Sequence, residues 1–180
     1  MQERKLMEMV EAAGTIAIAG HVRPDGDCVG SCLAVCNYIT EQYPEKTVDV
    51  YLETPPVKFS YLKQFERISS DSNTGKQYEL CICLDSGDRE RLGNNVVYLD
   101  TAKTSICIDH HITNKGYAAS NFVNASASAT CEFLYDFLDE EKISKEVAEC
   151  IYTGIIHDTN VFKNSNTTAK TMEVAGVMME

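Results

Sequence analysis

Apolar and polar positions along this chain form short blocks that predict strands and helices in turn. Strands are predicted at residues 15–20, 47–52, 79–84 and 105–109, with weaker ones at 96–99 and 121–123. Helices are predicted at residues 2–12, 28–43, 57–67, 127–140 and 144–157, and a last one begins near residue 167. Strands that alternate with helices favour a mainly parallel sheet covered on both faces, so the predicted fold class is α/β.

Aspartates and histidines follow the ends of these apolar runs. All four histidines fall in segments rich in aspartate, at residues 21–27, 85–88, 109–111 and 157–159. Because the carboxyl ends of adjacent parallel strands share one edge of a sheet, we expect these side chains to meet in one crevice. So many carboxylates would raise each other's pKa values unless positive charge lay among them. A pair of divalent metal ions is the simplest such charge.

Composition limits the class of protein. The 180 residues are 44% hydrophobic, enough for one cored domain that spans residues 1–180. The net charge of −11 argues against binding duplex nucleic acid, although short nucleotide substrates stay compatible. No apolar run approaches the roughly 20 residues that cross a bilayer, and the N-terminus lacks a signal-peptide pattern. We therefore predict a cytoplasmic protein without membrane contact, and the oligomeric state stays open, a homodimer included.

Eight cysteines are present, and none forms a Cys-x-x-Cys pair. Most lie in apolar patterns, which predicts reduced, buried thiols. Cys28, Cys32 and Cys36 recur at helical spacing and could bind a soft metal, but small core residues on a helix face are the more common explanation.

The turn after the first strand carries His21, Asp25 and Asp27. Pro24 fixes φ in that turn, and Gly26 lets the backbone approach closely between two carboxylates. Aspartates two positions apart in a loop can face different sides of a small cavity and serve different ions. Alternatively, either aspartate caps the following helix, which explains neither the histidine nor the second carboxylate.

Two more aspartates end strongly apolar segments. Asp85 follows residues 80–84 and Asp158 follows residues 150–156, positions where an unpaired charge is costly. We predict both as metal ligands, with Asp85 bridging two ions. Asp88 precedes two arginines and is better explained as a helix cap or an arginine partner behind the ligands. His157 is predicted to face solvent or to support the ligands from behind.

Asp109, His110 and His111 follow another buried strand. Neighbouring residues on extended backbone face opposite ways, so the two imidazoles have different roles. We predict His110 as a metal ligand, His111 as a contact to the substrate phosphate, and Asp109 as the group that orients an imidazole from behind. A pair of surface histidines is the alternative.

Imidazole and carboxylate ligands without a thiolate suit Mn²⁺, with Mg²⁺ or Co²⁺ as alternatives, better than structural zinc. Two such ions about 3.5 to 4 Å apart can activate water and clamp both oxygens of an in-line displacement at phosphorus. This arrangement indicates phosphoester hydrolysis. Because the ligand histidines must be neutral to coordinate, metal affinity is expected to fall as the pH drops through about 6.5.

The motifs, in this order, resemble those of the DHH phosphoesterase superfamily. The matching segments lie at residues 21–31, 84–93, 108–111, 128–132 and 154–159, and the resemblance extends over residues 15–165. The runs Asp-Gly-Asp-x-x-Gly-Ser and Asp-Ser-Gly-Asp-x-x-Arg-Leu-Gly are most similar to the nanoRNase and pAp phosphatase branch. The resemblance implies a five-stranded, mainly parallel sheet with helices on both faces and a two-manganese site.

The same resemblance implies roles for individual residues. One ion would be held by His21, Asp25 and Asp85, and the other by Asp27, Asp85, His110 and Asp158. His111 would touch the substrate phosphate, while Ser31, Asp88 and Asp109 would lie behind the ligands or near the substrate. Members of this branch hydrolyse short oligoribonucleotides as exonucleases, the nucleotide pAp (3'-phosphoadenosine 5'-phosphate), or linear and cyclic dinucleotides.

Two departures from the family pattern limit this transfer. Asn160 stands where the family usually has Gly, which is expected to shift the loop beside Asp158 without removing the ligand. The family also carries a second, C-terminal substrate-binding domain with a glycine-rich histidine motif, which these 180 residues lack. We therefore expect the first lobe of a longer protein, with poor turnover alone because half a cleft positions substrate badly.

Our leading hypothesis is a metal-dependent phosphoesterase acting on short oligoribonucleotides or pAp, with His111 and Asp85 as catalytic residues. A cyclic dinucleotide phosphodiesterase shares all the motifs of this lobe. An inorganic pyrophosphatase has a similar first motif but lacks the run that begins at Asp85. A non-catalytic nucleotide-binding lobe is the alternative from a different class. The exact substrate and the direction of cleavage do not follow from the sequence.

Overall fold

The chain folds around a single parallel sheet. This computed structural model describes residues 2–180, with side chains from Lys5 onward. The strands are β1 (Thr15–Ala19), β2 (Thr47–Tyr51), β3 (Ile68–Ser69), β4 (Leu80–Leu84), β5 (Thr104–Asp109) and β6 (Ser120–Val123). They lie in the order β3-β2-β1-β4-β5-β6, and every neighbouring pair is parallel. The α/β prediction is confirmed, with six strands rather than five. The two-residue edge strand β3 is too short to produce a pattern in the sequence.

Six α-helices accompany the sheet among the described residues. They are α1 (Gln2–Ala12), α2 (Gly26–Gln42), α3 (Val96–Thr101), α4 (Thr130–Leu134), α5 (Lys145–Asp158) and α6 (Ala169–Val177). Among the described helices, none combines the length and the hydropathy that a bilayer crossing requires.

Three predicted elements differ from the structure. The strand predicted at 96–99 is wrong, because these residues form α3. Short apolar runs fit a buried helix as well as a strand, and Tyr98 and Leu99 bury one side of this helix. The predicted helix at 57–67 is two separate 3₁₀ turns, and the helix predicted at 127–140 is α4 followed by two further 3₁₀ turns.

Alternate residues of the strands face two unequal cores. Ile16 and Ile18 of β1 face the larger core, which also contains buried side chains of α1, α2, α4, α5 and α6. Ala17 and Ala19 face the smaller core, which contains the α3 residue Tyr98. Both faces of the sheet are therefore covered, and its carboxyl-end edge is where polar side chains can gather. All eight cysteines are free and buried, which confirms the prediction of buried thiols.

Candidate metal centre

Three adjacent strands deliver polar residues to the same edge of the sheet. β4 pairs with β1 on one side and with β5 on the other. His21 follows β1, Asp85 follows β4, and His110 follows β5. Asp27 comes from the first turn of α2, and Asp158 is the last residue of α5. The structure therefore brings together the side chains that the sequence pattern assigned to one crevice.

Asp85 lies between the histidines. Its Oδ2 is 3.4 Å from His21 Nε2, and its Oδ1 is 3.7 Å from both His110 Nε2 and His111 Nδ1. The side chain is only 3% exposed. Its backbone has a φ of 52°, in the left-handed region that residues other than glycine seldom adopt. Such strain is typical of functional sites, where the surrounding structure holds an unfavourable conformation.

The predicted second ligand set forms a compact group. His110 Nε2 is 3.2 Å from Asp158 Oδ2 and 3.9 Å from Asp27 Oδ2. One ligand atom from each of these three residues lies within 4.8 Å of the other two. Since Asp85 also lies beside His110, the group contains every residue that the resemblance assigned to this ion.

The first ligand set is also assembled, and Asp25 has two roles in it. His21 Nε2 is 3.8 Å from Asp25 Oδ1, in addition to its contact with Asp85. The same Asp25 oxygen accepts hydrogen bonds from the backbone N–H groups of Asp27 at 3.0 Å and Cys28 at 3.1 Å, which caps α2. The capping alternative for Asp25 is therefore confirmed, and the same oxygen lies close enough to His21 for the ligand role to stay a prediction.

Cys28 belongs to the same group, although the sequence pattern did not place it there. Its Sγ and ligand atoms of His21 and Asp85 all lie within 4.8 Å of one another. The structure thus places a thiol beside a ligand set that the sequence pattern predicted to contain imidazole and carboxylate groups only.

Asp109 holds His111 in place. Its Oδ1 is 2.7 Å from His111 Nδ1, and its Oδ2 accepts a hydrogen bond from Asn114 Nδ2 at 2.8 Å. Burial opposes ionisation of Asp109, but these two hydrogen bonds lower its pKa below the ordinary value. The hydrogen bond to Asp109 in turn raises the pKa of His111. Asn114 was missed because an asparagine in a polar loop carries no distinctive sequence signal.

The start of α4 orients two of the aspartates. Asp27 accepts hydrogen bonds from the backbone N–H of Thr130 at 2.6 Å and of Cys131 at 2.9 Å. The Thr130 hydroxyl donates to Asp85 Oδ1 at 3.0 Å. The family resemblance includes residues 128–132 but implied no role for them, and the structure shows that this segment positions both carboxylates.

A buried carboxylate connects this segment to the last helix. Glu132 Oε2 accepts hydrogen bonds from the Ser128 backbone N–H at 3.1 Å, the Ser128 hydroxyl at 2.6 Å and the Thr171 hydroxyl at 2.6 Å. Thr171 lies in α6. Asn166 Nδ2 also donates to the Ser128 carbonyl at 3.0 Å. Residues near the end of the chain therefore brace the loop that orients the aspartates.

Three other predicted residues lie around this centre. The Ser31 hydroxyl is buried and donates to the Cys28 carbonyl at 3.3 Å, within α2. Asp88 accepts a hydrogen bond from the backbone N–H of Arg91 at 2.8 Å and so lies just before the 3₁₀ segment Glu90–Asn95, whose N-cap residue is Arg89. His157 is exposed, yet one of its ring nitrogens lies within 4.8 Å of ligand atoms of Asp25 and Asp158.

Asn160, which stands where the family pattern usually has Gly, has a backbone conformation that glycine adopts easily. Its φ is 48°, in the left-handed region that glycine and asparagine tolerate best. The turn forms immediately after α5, and the carboxylate of Asp158 still reaches His110. Asparagine at this position is therefore compatible with a place for Asp158 beside His110, as the sequence led us to expect.

The carboxylates of the site need positive charge nearby. Complete burial, together with the charges of Asp85 and Asp158, raises the pKa of Asp27 well above its ordinary value. Burial lowers the pKa of His110, but the hydrogen bond to Asp158 and the nearby carboxylates outweigh burial and raise it to about 10. His21 behaves in the same way beside Asp25 and Asp85. Only protons or cations can balance these carboxylates, and carboxylate with imidazole is a donor set that divalent cations fit.

Comparisons with known proteins agree with this geometry. The model of the DHH family, N-terminal domain, matches residues 15–155. The bifunctional oligoribonuclease and PAP phosphatase NrnA of Bacillus subtilis is 32% identical over 98% of this chain and 56% of its own length. The protein of the same name from Thermus thermophilus is 30% identical over 98% of this chain and 53% of its own length. The chain thus spans about half the length of these curated relatives.

A solved structure shows the same architecture. The exopolyphosphatase-related protein from Bacteroides fragilis has a TM-score of 0.88 and 24% identity over 99% of this chain and 56% of its own. At that identity the likeness shows the fold alone. The family match includes the segments that hold His21, Asp85 and His110. The alignment with the Bacillus subtilis relative also includes Asp158. The chain therefore belongs to the DHH family, with residues 15–155 matching its N-terminal domain.

Proposed function

We propose that this chain is the catalytic DHH domain, residues 1–180, of a phosphoesterase that hydrolyses short oligoribonucleotides and pAp with two Mn²⁺ ions. One observation carries the proposal: histidines and aspartates from three strand ends and two helices form overlapping groups at one edge of the sheet, and within each group the ligand atoms lie within 4.8 Å of one another. The names of the relatives, oligoribonuclease and PAP phosphatase, support this substrate class. A cytoplasmic location and action on short rather than duplex nucleic acid belong to the same proposal.

The ligands divide into two sets that share Asp85. His21, Asp25 and Asp85 would hold one cation, and Asp27, Asp85, His110 and Asp158 the other. Bound divalent cations supply the positive charge that stabilises developing charge on phosphoryl oxygens, and they lower the pKa of water. Thr130 assists by holding Asp27 and Asp85 in fixed orientations, since its backbone N–H and its hydroxyl are already hydrogen-bonded to them.

His111 is proposed to contact the phosphate of the substrate. Its side chain is 34% exposed, more than that of His21 or His110, so an incoming ligand can reach it. The hydrogen bond with Asp109 raises its pKa and favours the imidazolium form. A charged N–H donor of this kind binds phosphate oxygens more strongly than a neutral donor does.

A metal-replacement assay tests the proposal. The protein is stripped with EDTA and reloaded with Mn²⁺, and phosphate release from pAp and shortening of a short RNA are followed. We expect both reactions only after metal is restored. Nucleotide binding without any product would instead identify a non-catalytic lobe. Turnover restricted to cyclic dinucleotides or to pyrophosphate would favour one of the two alternative enzymes.

Metal binding is expected to release protons at neutral pH. His110, with a pKa of about 10, is protonated at pH 7 in the metal-free protein, and it must lose that proton to coordinate. Affinity should therefore rise with pH between 6 and 8, by about tenfold per unit for each proton displaced. Metal affinity should therefore keep rising at pH values well above about 6.5, the pKa of an isolated imidazole.

Titration calorimetry measures this release directly. The observed heat of Mn²⁺ binding should change with the ionisation enthalpy of the buffer, and the slope gives the number of protons. Equal heats in buffers of different ionisation enthalpy, together with a constant affinity from pH 6 to 8, would show that the histidines are already neutral or do not coordinate.

A further inference from the structure

Cys28 is a buried thiol inside the candidate metal centre. It lies in the first turn of α2, and its side chain is fully buried. Its Sγ, a ring nitrogen of His21 and a carboxylate oxygen of Asp85 lie within 4.8 Å of one another, and all three residues are buried. Of the eight cysteines, Cys28 alone shares such a group with histidine and aspartate among the described residues.

The surroundings restrict the position of this sulfur. A Cβ atom placed on Gly20 would overlap Cys28 Sγ and would lie 2.8 Å from Leu52 Cδ2. The glycine thus lets the sulfur pack directly against the backbone that leads to His21. The thiol donates a weak hydrogen bond to the His21 carbonyl, at 3.9 Å, so the sulfur lies beside the residue that supplies the imidazole.

A thiol in this place changes which cations suit the two ends of the site. The group of Asp27, His110 and Asp158 offers oxygen and nitrogen atoms only. The group of His21, Asp85 and Cys28 adds sulfur, and thiolate ligands favour softer cations such as Zn²⁺ and Co²⁺ over Mn²⁺ and Mg²⁺. The two ends therefore differ in donor chemistry, although they share Asp85.

We propose that Cys28 is a sulfur ligand that makes the end of the site formed by His21 and Asp85 selective for a thiophilic divalent cation. This inference rests on the proposed metal centre and changes one part of it, because the cation at this end would be softer than Mn²⁺. A metal–sulfur bond forms when the cation enters, and the thiol proton leaves to solvent. The remaining end, around His110, keeps the preference for Mn²⁺.

Cobalt replacement tests the sulfur bond without any assay of activity. Bound Co²⁺ gives visible absorption from its d electrons with any of these ligands, whereas a cobalt–thiolate bond adds a strong charge-transfer band in the near ultraviolet. We expect both features when Co²⁺ is added to the metal-free protein. Cys28→Ser should remove the near-ultraviolet band and weaken Zn²⁺ binding by at least the roughly 10- to 100-fold that loss of a group supporting a ligand costs, with little change in Mn²⁺ binding.

A matched control lies on the same helix. Cys36→Ser removes another buried thiol of α2, one whose Sγ is 3.5 Å from Gln64 Oε1 and which belongs to no candidate metal group among the described residues. This variant should keep the near-ultraviolet band. Circular dichroism of both variants shows whether they fold. If a variant does not fold, absence of the band in the unmodified protein still overturns the role of Cys28.

The outcomes separate this inference from the proposed function. Visible cobalt absorption without the near-ultraviolet band in the unmodified protein would overturn the role of Cys28 and leave the metal centre standing. Retention of the band in a folded Cys28→Ser protein would also overturn it. A complete lack of cobalt binding would overturn the metal centre and, with it, this inference.

Discussion

Asp85→Asn is expected to reduce hydrolysis of pAp and of short oligoribonucleotides by on the order of 10³-fold, as expected when one preorganised electrostatic group is lost. Asp85 is shared by both proposed ligand sets and lies 3.4 to 3.7 Å from three histidine rings. An amide keeps the shape of the side chain but not its negative charge. The measurement is kcat/KM with Mn²⁺ in excess, together with the number of ions bound.

Asp136→Asn is the matched control for this change. Asp136 is an exposed carboxylate 3.8 Å from Lys170 Nζ, and the substitution makes the same chemical replacement far from the proposed ligands. Its activity should equal that of the unmodified protein. An Asp85→Asn protein that retained activity within about tenfold of the original, an increase in the activation barrier below about 1.4 kcal/mol, would show that Asp85 does not join the two ions.

Gly154→Ala should lower the free energy of unfolding by about 1 to 3 kcal/mol, the usual cost of overpacking a core. Gly154 lies in α5, and a Cβ atom there would overlap Cys131 Sγ and lie 2.7 Å from Asp27 Oδ1. Relief of this overlap is expected to displace the side chains of Cys131 and Asp27. Denaturation in urea measures the stability, and Mn²⁺ titration should show weaker binding.

Gly176→Ala provides the comparison. Gly176 lies in α6, and a Cβ atom there would meet nothing within 4 Å. Because alanine favours helix over glycine, this variant should be as stable as the unmodified protein or more stable by up to about 1 kcal/mol. Equal destabilisation of both variants would mean that the crowding around Gly154 has no special cost.

Hydrophobic patterning alone was enough to predict most of the sheet. β1, β2, β4 and β5 are continuous apolar or alternating runs, a pattern typical of strands buried between helices. The run at 96–99 was misassigned because four apolar residues do not determine a period. What makes it a helix is the packing of Tyr98 on the sheet, with its ring 3.9 Å from that of Tyr51, a contact between residues far apart in sequence.

The candidate ligands could be predicted because charges at the ends of buried strands need partners. His21, Asp85 and His110 follow strand ends, so topology alone brings them to one edge. Cys28 and Thr130 could not be assigned in the same way. Their contacts depend on the rotation of α2 about its axis and on the approach of α4 to Asp27, and neither leaves a trace in local sequence.

The three hydrogen bonds on Glu132 have a consequence for the cooperativity of the domain. Thr171 supplies one of them, so detachment of α6 would leave a buried carboxylate with one donor fewer, at a cost of about 1 to 3 kcal/mol. The loop from Ser128 to Thr130 would loosen at the same moment. Fraying of α6 and misalignment of Asp27 and Asp85 should therefore occur together. Amide exchange in α6 would then report on whether the metal centre is intact, although most residues of that centre lie earlier in the chain.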